Sequence, residues 1–270
     1  MSNRPLRVLL TGGTRGLGRC MADVLLRQGY QVTICSRSAC AEHGRRFKGY
    51  RVDLSSRASI DRMLSSWQEG AFDVLINNAG AMFWEAGSSD EGMERTVALN
   101  YLGPVYLTLR LLQQKHSLRV INIGSALMRQ EPLPERWWQL TTHYDMAERY
   151  ALSKALLASF TATLLDRGAA ARCVDPGLLR TDLGGGSGVL STVGRALTSL
   201  FGQLPEAVAE AVIEAGLELG NEDCGFRAIS RRCTRLPMIV KDRNQRAALF
   251  ATTRSLLHRS MLPPGESTQC

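Results

Sequence analysis

The stretch Thr11-Gly-Gly-Thr-Arg-Gly-Leu-Gly18 decides the fold. It follows the apolar run Leu6 to Leu10, and apolar residues at helical spacing come after it at Met21, Val24 and Leu25. A strand, a glycine-rich turn and a helix N-terminus form an anion site, because the first N–H groups of a helix are unpaired and its dipole favours negative charge. Glycines also let the backbone approach a pyrophosphate closely. The sequence therefore predicts a nucleotide-binding βα turn rather than a plain connection.

Strand-like apolar runs alternate with helical patterns along the rest of the chain. We predict strands at 6–11, 31–35, 50–52, 72–76, 118–123, 171–175 and 226–230, and helices at 16–28, 57–68, 90–114, 147–166, 205–219 and 240–258. This alternation predicts a parallel sheet with helices on both faces, and the handedness of the crossovers makes it doubly wound. We expect an α/β, Rossmann-type sheet of about seven strands. Residues 1–270 are expected to form a single NAD(P)-binding domain.

A tyrosine and a lysine are paired in the run Tyr150-Ala-Leu-Ser-Lys154. A helix turns once in about 3.6 residues, so both side chains emerge on one face. A phenol is a poor acid–base catalyst near neutral pH because its reference pKa is about 10. An ammonium one turn away favours the phenolate. The pair therefore predicts an acid–base tyrosine whose pKa is lowered by Lys154.

Further polar motifs follow in a fixed order along the chain. They are Asp53 after the third strand, Asn77-Asn-Ala-Gly80 after the fourth, Asn100 in Leu99-Asn-Tyr-Leu-Gly103, Ser125 ending Val120-Ile-Asn-Ile-Gly-Ser125, and Pro176-Gly177 followed by Thr181. With the glycine turn and the Tyr150–Lys154 pair, this order resembles the short-chain dehydrogenase/reductase family over residues 1–182. Residues 98–112 are similar to its retinol-dehydrogenase-like branch, and a carbonyl reductase fits equally well.

The resemblance implies hydride transfer between a nicotinamide and a carbonyl or alcohol, with no metal. Tyr150 would protonate the carbonyl oxygen, and Ser125 would donate a second hydrogen bond to it. Lys154 would bind the nicotinamide ribose, and Asn100 would hold a water that links Lys154 to solvent. The implied cofactor-binding residues are Gly12, Thr14, Arg15, Gly16, Leu17, Gly18, Ser36, Arg37, Asp53, Leu54, Asn78, Ala79, Gly80, Tyr150, Lys154, Pro176, Gly177, Leu179 and Thr181.

The end of the second strand indicates which cofactor is used. An acid there would bind the ribose 2′-hydroxyl of NAD, whereas an arginine accommodates the 2′-phosphate of NADP. This chain has Cys35-Ser36-Arg37-Ser38, with no acid. Arg37 can bind phosphate in bidentate fashion, Ser36 or Ser38 can donate a hydrogen bond, and Arg15 adds a positive charge. We predict NADP(H) in preference to NAD(H); the alternative is that Arg37 is simply solvated.

Two segments carry information about the substrate. Residues 126–149 form a longer connection than the family usually has, and they contain Trp137 and Trp138. Those tryptophans either line the cleft or pack the loop. Residues 183–204 begin with three glycines and continue with an apolar stripe at helical spacing, which suits a lid but could also pack on the sheet. Together they favour a medium-to-large apolar substrate.

Bulk properties limit the remaining function classes. The formal charge is +8, but the basic residues are scattered and no basic–aromatic motif appears, so no nucleic-acid partner is expected. No apolar run approaches the ~20 residues of a membrane span. The first strand starts near Leu6, which leaves no room for a secretion signal, and seven cysteines without metal-ligand spacing suit a reducing compartment, so we expect a cytoplasmic protein.

The resemblance also implies a homodimer or homotetramer. The helices at 90–114 and 147–166 would pair between subunits, although Val105, Leu109 and Leu112 could equally face the sheet. A different class stays open as an alternative, namely a catalytically silent NADP(H)-binding sensor or scaffold.

Overall fold

Seven parallel strands form the sheet at the centre of the structure. The computed structural model describes residues 4–38, 44–128, 132–177, 204–218, 225–229 and 236–259. The strands are β1 Arg7–Thr11, β2 Gln31–Ser36, β3 Phe47–Arg51, β4 Val74–Asn77, β5 Arg119–Ile123, β6 Ala171–Asp175 and β7 Phe226–Ala228. Their order is β3-β2-β1-β4-β5-β6-β7, and all neighbouring pairs are parallel. The predicted doubly wound sheet is confirmed.

Helices cover both faces of this sheet. They are α1 Gly16–Arg27, α2 Arg57–Ser66, α3 Arg95–Val97, α4 Gly103–Gln114, α5 Met146–Asp166, α6 Pro205–Leu217, α7 Met238–Lys241 and α8 Arg243–Arg259, and a π-helical segment, Ala98–Leu102, joins α3 to α4. Along β1, Val8 and Leu10 pack with α1 and α6, whereas Leu9 packs with α2, α4 and α5. Within the described ranges, no helix combines the length and the apolar character needed to cross a membrane.

Two predicted helices are interrupted by acidic caps. The helix predicted at 90–114 begins only at Arg95, because the Glu94 carboxylate accepts the Thr96 and Val97 N–H groups at 2.8 and 2.9 Å. The helix predicted at 240–258 is divided at Asp242, whose Oδ1 accepts the first N–H groups of α8. A side chain that satisfies the free N–H groups of a first turn fixes where a helix starts.

The strand order reverses between β1 and β4, which fixes the position of the site. A parallel sheet opens a crevice at the carboxyl ends of its strands where neighbouring connections leave in opposite directions. Here those ends are Thr11 of β1 and Asn77 of β4. The glycine turn follows the first of them, and Asn78 follows the second.

Helix α5 is enclosed within the chain. Every residue from 152 to 164 is buried, and helices α7 and α8 pack on it. The Ser159 hydroxyl donates to the Ile239 carbonyl at 2.8 Å. The expectation that α5 pairs between subunits is therefore wrong for this structure, since α7 and α8 already cover it. On α4, Val105 is fully buried, and Leu109 and Leu112 are partly buried against the core.

Replacing Arg246 with alanine is expected to lower the free energy of unfolding by about 3 kcal/mol. This buried guanidinium contacts the Asp166 carboxylate at 2.6 Å and donates to the Val240 and Lys241 carbonyls, so its loss removes a buried donor from three acceptors, one of them on the buried Val240. Urea unfolding would measure the change. Arg243→Ala is the matched control, because Arg243 reaches the same carboxylate from an 80% exposed side chain. An equal decrease in the free energy of unfolding in Arg246→Ala and Arg243→Ala would contradict the prediction.

Candidate active site

The glycine turn after β1 has the geometry of an anion site. Gly12 and Gly16 have φ of +73° and +53°, a region that residues with a side chain rarely adopt. A Cβ on Gly18 would collide with the Gly12 carbonyl, so the turn is closed against side chains. Helix α1 then begins without a side-chain cap on Arg15 and without an acid in its first turn. Its first N–H groups are therefore left for a negatively charged group.

The hydroxyl of Thr11 locks the two sides of the crevice together. It accepts the N–H groups of Asn78 and Ala79, both at 3.0 Å. The Asn78 amide donates in return to the Thr11 carbonyl at 2.9 Å and to the Gly12 carbonyl at 3.2 Å. The predicted cofactor residues Gly12, Asn78 and Ala79 are thus held in one rigid junction, for which Thr11 is the central group.

Three of the predicted catalytic side chains meet at the carboxyl end of β5. Tyr150 and Lys154 lie on one face of α5, with the Lys154 Nζ 5.5 Å from the centroid of the Tyr150 ring. The Lys154 ammonium donates to the Ile123 carbonyl at 2.8 Å, and Ser125 hydrogen bonds to the Tyr150 phenol. Both Tyr150 and Lys154 are buried, with exposed fractions of 8% and 4%.

Asn100 is the fourth predicted catalytic residue, and it lies in the π-helical segment. Its Oδ1 accepts the Ala81 N–H at 3.0 Å, and its Nδ2 donates to the Ala81 carbonyl at 3.0 Å and to Ser153 Oγ at 3.1 Å. A Cβ on Gly80 would lie 3.3 Å from Asn100 Oδ1 and 3.6 Å from Lys154 Nζ, so Gly80 leaves room between them. The side chain holds the loop after β4 against α5, and its water-holding role stays a prediction.

Burial dominates the ionisation of the catalytic pair. It raises the pKa of Tyr150 to about 12, against an opposing effect of the Ser125 hydrogen bond. It lowers the pKa of Lys154 to about 8. The expectation that Lys154 lowers the pKa of Tyr150 is wrong for this structure, because desolvation of the phenolate outweighs other effects. The phenol is protonated at neutral pH, which is the state that a proton donor requires.

The turn after β2 contains a hydrogen bond from Ser36 and an exposed arginine, Arg37. The Ser36 hydroxyl donates to the Ser38 carbonyl at 2.7 Å, so the predicted contact of Ser36 competes with a hydrogen bond inside the turn. Arg37 is exposed beside it. The register of β2 and β3 places Arg51 opposite Ser36, at the same edge of the sheet, and Arg51 is also exposed. Sequence reasoning missed Arg51, because only the strand register brings it there.

Asp53 and Leu54, two of the predicted cofactor-binding residues, follow the end of β3. The exposed Asp53 accepts the Ser55 N–H at 2.9 Å and the Ser55 hydroxyl at 2.6 Å, which stabilises the turn into α2. Leu54 is buried, and its carbonyl lies so close to Gly103 that a Cβ there would collide with it. The contact joins the start of α4 to this edge of the site.

On the opposite side of the site, Pro176 and Gly177 follow β6. Pro176 is buried, and Gly177 has a φ of +79° and donates its N–H to Asp175 Oδ1 at 2.9 Å. The predicted contacts of Leu179 and Thr181 fall outside the described residues. So does the predicted lid, except for Leu204.

The connection between Ser125 and Tyr150 is anchored over α5. Trp137 is 2% exposed, and its ring meets those of Tyr101 and Trp138 edge-on at 5.5 and 5.4 Å. The buried Arg149 guanidinium donates to the Trp137 carbonyl at 3.4 Å and to Thr141 Oγ1 at 2.8 Å. Of the two alternatives for Trp137, lining the cleft or packing the loop, the structure shows that it packs the loop.

Sequence reasoning also missed Arg149, Ser153 and Asp175. Asp175 alone gave a usable signal, since an acid at the end of an apolar strand is unusual in a core. Arg149 and Ser153 resemble ordinary helix residues in the sequence, and only their contacts show that they hold the site.

Comparison with known proteins places the chain in a family. A sequence profile described as short chain dehydrogenase matches residues 7–187. Mouse polyprenol dehydrogenase is 30% identical over 92% of this chain and 83% of its own length. Human retinol dehydrogenase 12 is 28% identical over 89% of this chain and 82% of its own length. A short-chain dehydrogenase from Streptomyces avermitilis, 22% identical, superimposes with a TM-score of 0.63 over 96% of this chain and 97% of its own. The chain belongs to the short-chain dehydrogenase/reductase family, in its retinol-dehydrogenase-like branch.

Proposed function

We propose that this oxidoreductase uses NADP(H) to interconvert a carbonyl and an alcohol on a medium-to-large apolar substrate. The convergence of Ser125, Tyr150 and Lys154 at the carboxyl end of β5 carries the proposal. We propose further that residues 1–270 act as one domain in the cytoplasm. A homodimer or homotetramer would have to use a surface other than α5, which is enclosed.

The residues present fit the nicotinamide cofactor that the family binds. Helix α1 has no side-chain cap and no acid in its first turn, so it can receive a pyrophosphate. Lys154 uses one N–H on the Ile123 carbonyl, which leaves ammonium donors for ribose hydroxyls. Gly80 leaves space between Asn100 and Lys154 for such a group.

The chemistry divides between the cofactor and the chain. A bound nicotinamide supplies the hydride for reduction and accepts it for oxidation. Tyr150 holds the proton that a carbonyl oxygen needs on reduction, and burial keeps it on the phenol. Ser125 is hydrogen bonded to that phenol in this structure, and its single hydroxyl hydrogen would turn to the substrate oxygen where charge develops. Lys154 is held against β5 and would hold the cofactor's ribose by its remaining ammonium donors.

Three exposed arginines support the preference for NADP(H). Arg15 lies in the glycine turn, Arg37 follows β2, and Arg51 ends β3. None of them forms an ion pair with another residue in the described part of the chain. No acid stands at the end of β2 to select a ribose 2′-hydroxyl. This arrangement favours a doubly charged 2′-phosphate.

Exposed leucines support an apolar substrate. Leu127, two residues after Ser125, is 65% exposed, and Leu140 in the following connection is 42% exposed. Because the Leu127 N–H donates to Ser125 Oγ at 3.1 Å, at least this exposed side chain lies close enough to the site to contact an apolar substrate. The side chains suit a substrate with a long hydrocarbon portion.

The decisive experiment compares the cofactors in wild type and in Arg37→Ala. We expect wild type to favour NADPH over NADH in kcat/KM with a series of aldehydes from butanal to dodecanal and with retinal, and rates to rise with chain length. In Arg37→Ala, the loss of a charge-assisted contact to the 2′-phosphate should lower kcat/KM for NADPH by about ten- to a hundredfold. It should leave kcat/KM for NADH unchanged.

Arg45→Ala is the control, because Arg45 is exposed but precedes β3 rather than following it. Equal use of NADH by the wild type would refute the cofactor preference. Tight NADPH binding without turnover of any carbonyl or alcohol would instead favour the sensor or scaffold alternative.

A further inference from the structure

Asp175, the last residue of β6, lies beside the catalytic groups. Strands β5 and β6 pair with Ile123 opposite Val174, and the Gly124 N–H donates to the Val174 carbonyl at 2.8 Å. Because the strands are parallel, Asp175 comes next to the turn that begins at Gly124 and carries Ser125.

The carboxylate of Asp175 joins two turns of the site. Its Oδ1 accepts the Gly177 N–H at 2.9 Å, and the Ala126 N–H also donates to the carboxylate. Ala126 directly follows Ser125 in the sequence, and Gly177 belongs to the Pro176–Gly177 turn, which is predicted to bind the cofactor. A single side chain therefore connects the serine turn with the turn after β6.

The same side chain is buried and only partly paired. Asp175 is 2% exposed, and its Oδ2 has no hydrogen-bond partner within the described residues. An isolated buried charge is costly, and an asparagine would accept the same two hydrogen bonds without that cost. What the carboxylate adds is its charge, which acts on Lys154 and Tyr150. Within the described ranges, Asp175 is the one carboxylate that acts on either of them.

We propose that Asp175 is a positioning residue of this site, which ties the Ser125 turn to the Pro176–Gly177 turn and places a negative charge against Lys154 and Tyr150. The inference rests on the proposed function, since the charge affects catalysis only if that pair is the acid–base system.

The groups that face one another here define a pH signature. Tyr150 and Lys154 come from α5, Cys173 and Asp175 from β6, and Ser125 from the turn after β5. Burial raises the pKa of the Cys173 thiol to about 12, so this group stays neutral. Burial lowers the pKa of Lys154 and raises that of Tyr150, and the charge of Asp175 opposes the first shift and adds to the second. Its removal must therefore lower both values and move the alkaline limb of activity to lower pH.

Asp175→Asn and Asp175→Ala separate the charge from the hydrogen bonds. In Asp175→Asn, the alkaline limb of the plot of kcat/KM against pH should shift to lower pH by roughly one unit. Amide hydrogen exchange at Ala126 and Gly177 should stay at the wild-type rate. In Asp175→Ala, both amides should exchange faster, and kcat should drop roughly ten- to a hundredfold because the serine turn loses its tether.

Each outcome decides the proposal. A pH profile of Asp175→Asn that superimposes on that of the wild type would overturn the electrostatic role. Wild-type exchange and wild-type kcat in Asp175→Ala would overturn the tether. If the wild type turned over no carbonyl or alcohol, the proposed function would fail on its own, and hydrogen exchange at Ala126 and Gly177 would still accept or reject the tether.

Discussion

Replacing Tyr150 with phenylalanine is expected to reduce kcat for carbonyl reduction by roughly a thousandfold. The phenol is buried, remains protonated at neutral pH and hydrogen bonds to Ser125, so its removal takes away the proton donor while the ring can stay in place. NADPH binding should change little, because Lys154 keeps its contact with the Ile123 carbonyl. Single-turnover rates would measure the chemical step, and NADPH fluorescence would measure binding.

Tyr106→Phe provides a matched control for this loss. The Tyr106 hydroxyl donates to Asp61 at 2.8 Å and so joins α4 to α2, and neither residue is among the predicted site residues. Its removal should alter stability alone, by about 1 kcal/mol. Turnover of Tyr150→Phe close to the wild-type rate would rule out Tyr150 as the proton donor.

Replacing Gly18 with alanine is expected to weaken NADPH binding by about a hundredfold. The new Cβ would collide with the Gly12 carbonyl and would come within 2.6 Å of the Asn78 amide, and the carbonyl belongs to backbone that cannot move independently. The glycine turn must then open, which misplaces the N–H groups at the start of α1. Fluorescence titration of NADPH would measure the loss, and a thermal melt would record the accompanying destabilisation.

Gly44→Ala is the control for adding a methyl group. A Cβ on Gly44 meets no atom within 4 Å, and no left-handed φ is found there. The Gly44→Ala variant should therefore bind NADPH with the same affinity as the wild type. Unimpaired binding in Gly18→Ala would show that the turn does not hold the cofactor in the proposed way.

The parts of the fold that the sequence predicts best are those with a strong local pattern. The apolar run before Thr11 predicts β1 to within a residue, because its side chains are buried on both faces of the sheet. Strand β3 begins three residues earlier than predicted, at Phe47, because its residues Phe-Lys-Gly-Tyr-Arg carry little apolar pattern and pairing with β2 sets its start. Local patterns contain no information about such pairing.

The same distinction applies to the site. Helical spacing predicts that Tyr150 and Lys154 share one face of a helix, and the resemblance to the family adds Ser125 to them. Sequence spacing says nothing about burial, so it misjudges the pKa of Tyr150, which desolvation controls. Asp175 and Arg51 join the site through strand register, which depends on residues far apart in the chain.

The covering of α5 by α7 and α8 has a consequence for the order of folding. The helix that carries Tyr150 and Lys154 is sealed by a segment, residues 238–259, that the ribosome makes well after it. A nascent chain that ends at β6 therefore holds the catalytic pair on a helix whose apolar side is still open to solvent. The contact between α5 and residues 238–259 closes a long loop of intervening chain, which carries an entropic cost. Contacts between segments that are distant in the sequence also form late in folding. The catalytic helix is therefore covered on this side only after residues 238–259 have been made, whereas the contacts of β1 with β2 and β4 involve segments made much earlier.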